Sequence, residues 1–334
     1  MKIIESFTGF QPLEEVWIGG TYPEKFYQNL PNKVEDMFCK ITEKTITGFN
    51  NLEKILQKLG VKTHKPIFNQ SIDHYLDNFG NLIKPPIAPR DWTITLGNEL
   101  WIIPQGYKTE PYADVIDEYI QNGEKVEIID RSKDSRAWLG FPGIVRVGKR
   151  LVIDYGYAPT AEGIEHINRA VQDLKKHYEV MTTDEGGHLD SVFCPIQKGH
   201  IFSSHWGTSE MYKHTFPDWD IFWIPKSESN RIQGNWWTEE NNFNSPIFSS
   251  HIKKKAADWV GNSQETVFEV NMLVVDEHNV ICIAEHEQSF KKMEQLGITP
   301  HVVDFPTRHF WDGGIHCITV DIRRSGGCKN YFHE

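Results

Sequence analysis

The sequence predicts an α/β fold assembled from one repeated unit, a β-hairpin followed by a helix and a further strand. Three observations predict it: four strand–turn–strand segments, four helix–strand segments beside them, and unit spacings of roughly 50 to 80 residues. Such spacing suits a radial or stacked repeat rather than two unrelated domains. In a ring of units, strand ends converge on the axis, so residues distant in sequence can share one central site.

Each element follows from local chemistry. "PLEEVWIGG" (12–20) reads as an opening single strand, and "HCITVDIRR" near the end as a closing one. The hairpins are "WTITLGNELWIIP" (92–104), "GIVRVGKRLVIDY" (143–155), "SVFCPIQKGHIFSS" (191–204) and "NMLVVDEHNVICIAEH" (271–286). Each places turn formers (Gly97-Asn98, Gly148-Lys149, Lys198-Gly199, His278-Asn279) between β-branched and aromatic runs, which is a hairpin signal. "NNLEKILQKLGVKTHKP", "YADVIDEYIQNGEKVEIID", "EHINRAVQDLKKHYEVMTT" and "SFKKMEQLGITPHVVDF" show helical apolar spacing before a β-rich run. Three of them carry Gly or Asn-Gly between the two parts, as at a helix C-cap. Residues 205–262 are rich in Trp, Phe, Asn, Ser and Pro with little periodicity, and read as an irregular, lid-like insertion or a packed surface excursion.

The chain is 334 residues long, 39% hydrophobic and 24% charged, an ordinary globular composition with room for a large core. A net charge of −11 without a basic block argues against nucleic-acid binding and suits a cationic ligand without requiring one. No apolar stretch approaches the roughly 20 residues of a membrane helix, and "MKIIESFTGF" lacks a signal-peptide pattern. Five cysteines, none in a C-x-x-C pair, fit free thiols in a reducing cytoplasm. The expectation is one domain over 1–334, cytoplasmic and away from membranes.

Three clusters can carry chemistry, each at the start of an apolar strand: Asp91 in "APRDWTITLGNE", His188 and Asp190 in "TTDEGGHLDSVF", and Cys317 in "WDGGIHCITVDIRR". On an extended strand, residues two apart share a face, so His188 and Asp190 point together. The same rule turns His316 away from Cys317, which makes it a poor base for that thiol. If Cys317 is a nucleophile rather than a buried packing residue, it needs an acid–base partner from elsewhere, and His188 is best placed. The acidic and histidine clusters at 276–278 and 285–287 read as solvated charge around a turn, and no nucleotide-binding or zinc-protease motif is present. No cofactor and no metal is expected.

The ordered set "PRDWTITLGNELWIIP", "IVRVGKRLVI", "HLDSVFCPIQKGHIFSS", "NMLVVDEHNVICIAEHEQSFKKMEQLGITP" and "GGIHCITVDIRR" resembles the glycine amidinotransferase branch of the guanidino-group modifying enzymes, relatives of the arginine deiminases. The similarity runs nearly the whole chain. It implies a five-bladed, pseudo-symmetric α/β propeller of ββαβ units and a covalent Cys-amidino intermediate on Cys317. It also implies that His188 moves protons, and that Asp91 and Asp190 hold the guanidinium by charge-assisted bonds. The partners implied are a small-molecule guanidine donor, arginine or a relative, and an amine acceptor, with homodimerisation left open.

Two departures stand out. The family's usual carboxylate before the "IVRVG" hairpin, which orients the histidine, is here Gly143; Asp184, Glu185 or, less readily, Asp154 are candidate substitutes, and Thr319 a further supporting residue. No arginine follows the H-x-D hairpin in "SSHWGTSEMY", so the donor or acceptor is expected to differ from a free α-amino acid bound in the usual way. The alternatives to amidino transfer are a hydrolase of the arginine deiminase type and a catalytically impaired propeller that binds a guanidinium ligand or a partner protein.

Overall fold

A computed structural model describes residues 3–28, 32–78, 82–156, 160–185, 188–204, 209–224, 259, 270–283, 285–311 and 313–332. β1 (Leu13–Ile18), α1 (Asn32–Lys58) and β2 (Lys62–His64) come first. Next are β3 (Thr93–Leu96), β4 (Glu99–Ile102), α2 (Ala113–Gln121) and β5 (Lys125–Ile128). β6 (Ile144–Val147), β7 (Arg150–Asp154), α3 (Ala161–Leu174) and β8 (Glu179–Thr183) repeat the pattern. So do β9 (Phe193–Gln197), β10 (His200–Ser203), α4 (Ser209–Thr215) and β11 (Asp220–Trp223). The last run is β12 (Leu273–Asp276), β13 (Asn279–Cys282), α5 (Glu287–Gln295), β14 (Thr299–Val302), α6 (Arg308–Trp311) and β15 (Thr319–Arg324).

These strands make five three-stranded sheets of one topology. In each, two antiparallel strands are followed by a third that lies parallel to the second. The parallel third strand requires a crossover, and the helix between strands supplies it. All four hairpins read from the sequence are present; three turn where expected, and the fourth turns at Glu277-His278, one residue before the expected pair, with Asn279 already in the returning strand. The opening and closing strands do not start separate units. β1 pairs antiparallel with β15, Val16 opposite Asp321 and Ile18 opposite Thr319, so the two ends of the described chain complete one sheet together.

The stretch 205–262, read as irregular, is partly regular. Ser209–Thr215 is a helix and Asp220–Trp223 is the third strand of the β9–β10 sheet. Their local periodicity is weak because aromatic contacts carry the packing: Tyr212 and Phe216 both pack edge-on to Phe193. Apart from Trp259, the rest of that stretch, with the lid assigned to it, lies outside the described residues.

The apolar face of each helix covers the sheet it follows. Ile167, Val171 and Leu174 of α3 are buried with Leu151, Ile153 and Ile94, the 3–4 residue spacing of one helix stripe. Across the sheets, an extended N-terminal segment acts as a stitch. Arg324 N donates to Glu5 O, Ser6 N to Gly97 O, and Gly148 N to Phe7 O, linking three sheets within a few residues. Gly148, at φ +67°, must be glycine on two counts: a Cβ there would meet Lys329 O at 1.9 Å, and the left-handed backbone strains any side chain.

The position of the site follows from how each unit begins. The short helical turns Pro89–Asp91, Phe141–Gly143 and Leu189–Ser191 lead into β3, β6 and β9. The first packs on the second, and the second on the third. Residues 315–318 form the corresponding turn before β15, and Asn271 precedes β12. Among the described residues no helix is long and apolar enough to cross a membrane.

Candidate active site

Cys317 lies in a turn rather than in a strand, because β15 begins only at Thr319. Thr319 ties the turn down: its buried Oγ1 donates to Ile315 O (2.8 Å) and His316 O (3.2 Å). The two glycines before it clear the space. Gly313 sits at φ +101°, where a Cβ would stand 3.2 Å from Cys317 Cβ, and a Cβ on Gly314 would stand 2.6 Å from Asn271 Cβ. Real Cβ atoms do not approach as closely as the Gly314 contact, and the left-handed backbone at Gly313 strains any side chain, so the Gly-Gly pair lets this turn settle onto Asn271.

The turn corrects the expectation for His316. Strand alternation does not apply at 315–318, and His316 and Cys317 converge on one carboxylate. His316 Nδ1 is 2.8 Å from Asp190 Oδ2, and Cys317 Sγ is 3.5 Å from the same oxygen. His188 and Asp190 do meet, His188 Nδ1 standing 4.0 Å from Asp190 Oδ1. They do so across the turn Leu189–Ser191 rather than along a strand. One ligand-type atom from each of His188, Asp190 and Cys317 lies within 4.8 Å of the others, the one such three-residue grouping among the described residues.

Electrostatics separate the two carboxylates. Asp190 is buried, which alone would raise its pKa, yet the His316 hydrogen bond and nearby positive charge hold it below the usual range. Its Oδ1 accepts no hydrogen bond among the described residues. Asp91 is reached by solvent but is closely surrounded by protein. Those surroundings push its carboxyl up, against the pull of His188 and Lys84, while the charge on Asp190 adds to the rise. The pair thus brings one firmly ionised carboxylate and one that gains most from a cation placed between them.

Burial, then the Arg90 guanidinium, lowers His316 to about 4 from an ordinary 6.5. His316 is therefore a neutral imidazole near neutrality that donates to Asp190. The folded value lies below the unfolded one, so this contribution to stability is complete above about 6.5 and is lost as pH falls towards 4. We expect the melting temperature to drop between pH 7 and pH 5 and His316→Gln to flatten part of that slope in thermal scans; an unchanged slope would remove His316 from the account.

Beneath the trio lies a buried charge hub. Asp321 accepts from Arg90 Nη2 (2.9 Å), Arg146 Nη2 (2.5 Å), Arg324 Nε (2.9 Å) and Ser6 Oγ (2.7 Å). Arg90 also donates Nε to His316 O (2.7 Å), which joins the hub to the reactive turn. Between hub and trio is a cavity of about 30 Å³ lined by Arg146, Asp190, Cys194 and His316. It is small, with room for about one water.

The other candidates have different places. Gly143 is buried in the turn between those of Asp91 and Asp190, where no carboxylate is available. Asp184 is exposed. Glu185 is held by its backbone, its N–H donating to Asp154 Oδ2 (2.7 Å). Asp154, buried at the end of β7, also accepts from Thr183 Oγ1 (3.0 Å) and so anchors the chain leading to His188. The carboxylate set beside the His188 ring is that of Asp190. Part of the arginine-free run after the H-x-D hairpin, 205–208, lies outside the described residues.

Sequence reasoning missed Asn271, His316 and the hub. Asn271 carried a usable signal: it stands at the start of an apolar hairpin, as Asp91 and Asp190 do. Nothing in linear order marks Arg90, Arg146, Arg324 and Asp321 as partners.

No family model matches the chain. It is 23% identical over 310 residues to an L-arginine:L-lysine amidinotransferase of Pseudomonas savastanoi pv. phaseolicola, covering 83% of this chain and 78% of that protein. It is 23% identical over 381 residues to the mitochondrial glycine amidinotransferase of Gallus gallus, covering 98% and 84%. Among solved structures it superposes on an amidinotransferase of saxitoxin biosynthesis from Microseira wollei with a TM-score of 0.69, at 20% identity, over 98% of this chain and 99% of the other. A dimethylarginine dimethylaminohydrolase from Pseudomonas aeruginosa superposes at 0.56 with 16% identity, over 92% and 99%.

Proposed function

We infer that this chain belongs to the guanidino-group modifying superfamily, on its amidinotransferase side, and that it moves an amidino group from a guanidine donor to an amine through Cys317. The observation that carries the reading is the convergence of Cys317, His188 and Asp190, with an ionised buried carboxylate against the thiol. We further take the five sheets as blades around one axis, with their entry turns lining its mouth, in a single cytoplasmic catalytic domain. The better superposition on an amidinotransferase than on a hydrolase supports transfer over hydrolysis.

The chemistry follows from the groups present. A guanidinium is a planar cation with paired N–H donors, and Asp190 Oδ1 together with the Asp91 carboxylate supplies acceptors for it. Bound charge beside the thiol favours the thiolate. Cys317 Sγ forms a bond to the guanidino carbon, the bond from that carbon to the departing amine breaks, and protonated His188 gives the leaving nitrogen its proton. The acceptor amine then attacks the amidino carbon, the C–S bond breaks to return the thiolate, and His188 takes the surplus proton. Asp190, 4.0 Å from His188, attracts the protonated ring by charge at a distance beyond hydrogen bonding, and Gly143 offers no carboxylate to add to it.

The test is product analysis by mass. Arginine or another guanidine is incubated with the protein alone and with glycine, lysine or other amines. Ornithine together with a new guanidino compound supports transfer, whereas citrulline or ammonia supports hydrolysis. No turnover and no mass gain on Cys317 with any guanidine would sink the reading. His188→Asn should cost about 10² to 10⁴-fold in kcat, the usual share of a general acid–base.

A further inference from the structure

We propose that Asn271 is a catalytic residue that both fixes the Cys317 side chain and stabilises its thiolate. The inference rests on the reading of Cys317 as nucleophile and adds a group that neither the motifs nor the resemblance singled out. Asn271 is wholly buried and grips Cys317 at both ends of its amide. Oδ1 accepts from Cys317 N (3.0 Å), and Nδ2 lies 3.0 Å from Cys317 Sγ. Nδ2 also donates to Asp190 O (3.2 Å), which ties the nucleophile to the turn carrying His188 and Asp190. The fit is tight: Gly314 has no room for a side chain because Asn271 fills the space.

The geometry sets two opposing influences on one sulfur. Asp190 Oδ2, 3.5 Å from Sγ, is ionised and favours the protonated thiol as a donor to it. The Asn271 amide is a neutral N–H donor, which strengthens when the acceptor becomes charged and so favours the thiolate. Near neutrality His316 carries no charge and is committed to Asp190, so it does not supply this donor. With Asn271 in place, the incoming guanidinium need only neutralise Asp190 for the balance to tip, and Sγ is already held in one rotamer. Cys194 and Cys282 are also buried, and no side-chain amide donates to either sulfur among the described residues.

The test reads the thiol directly, so it does not depend on turnover. The rate of iodoacetamide alkylation at Cys317 is followed by peptide mass spectrometry against pH in the full-length protein and in Asn271→Asp and Asn271→Ala. Asn271→Asp keeps the size and the acceptor for Cys317 N–H but replaces the donor with a negative charge. It should move the alkylation midpoint upward and slow alkylation at pH 7 at least about tenfold, with a similar loss for Asn271→Ala. The alkaline limb of kcat/KM against pH should move with it. A merely structural role would change the plateau rate and leave the midpoint in place in Asn271→Ala, which adds no charge; an unmoved midpoint there, or in Asn271→Asp should Asn271→Ala fail to fold, overturns the proposal. If the midpoint moves but the unmodified protein turns over no guanidine, the role of Asn271 stands and the amidinotransferase reading falls.

Discussion

Cys317→Ala is expected to abolish guanidine turnover, by roughly 10⁴-fold or more, while the protein keeps its fold. The loss is large because the sulfur makes and breaks the bond to the amidino carbon, and no other group can replace it. The structural cost is small. The substitution deletes one buried atom and its contacts with Asn271 and Asp190, worth about 1 to 2 kcal/mol. Steady-state assays with a thermal melt beside them check both halves. Cys194→Ala is the matched control, since Cys194 is buried, shifted up to about 12 and part of the apolar packing of its sheet. Full activity in Cys317→Ala would end the covalent mechanism.

The second large effect is on stability. Asp321→Asn should remove most of the protein's thermal margin or prevent soluble expression. One carboxylate faces three guanidinium groups in a buried hub, and Arg90, Arg146 and Asp321 are all within 3% of complete burial. Burial would raise the Asp321 pKa, but Arg146, Arg324 and Arg90 hold it far below the carboxylate range. Neutralising it leaves buried like charges with no counter-ion, at about 3 to 5 kcal/mol or more against a typical total of 5 to 15. A melt of Asp321→Asn within a few degrees of the parent would show that the arginines find their compensation elsewhere. Because Arg90 also holds the carbonyl of His316, a folded variant should still lose activity through the reactive turn.

The hub and the reactive turn show what linear order hides. Asp321 and Arg324 were legible only as strand residues in "TVDIRR", whereas their partners Arg90 and Arg146 lie 231 and 175 residues away from Asp321. His316 was set aside on strand alternation. That rule fails where the chain makes a turn stabilised by the Thr319 hydroxyl and two glycines. Asn271 looked like an ordinary first residue of a hairpin until folding placed it against Cys317. α4 and β11 were missed because aromatic packing, rather than a regular apolar period, holds them.

What the sequence by itself determined is the repeated unit and the residues at its entry points. Turn formers at fixed places, alternating apolar strands and helical stripes are local patterns, and they specify hairpin, helix and strand with no knowledge of neighbours. It also placed Cys317, His188, Asp91 and Asp190 next to the starts of strands, and the structure puts them in the turns that lead into those strands. The tertiary structure alone decided which units close on one another, that β1 completes the sheet of β15, and which side chains meet at the thiol. The physical reason is range. Backbone propensity acts over a few residues, while the protonation of His316, the charge on Asp190 and the grip of Asn271 on Cys317 depend on burial and on groups brought together from separate sheets.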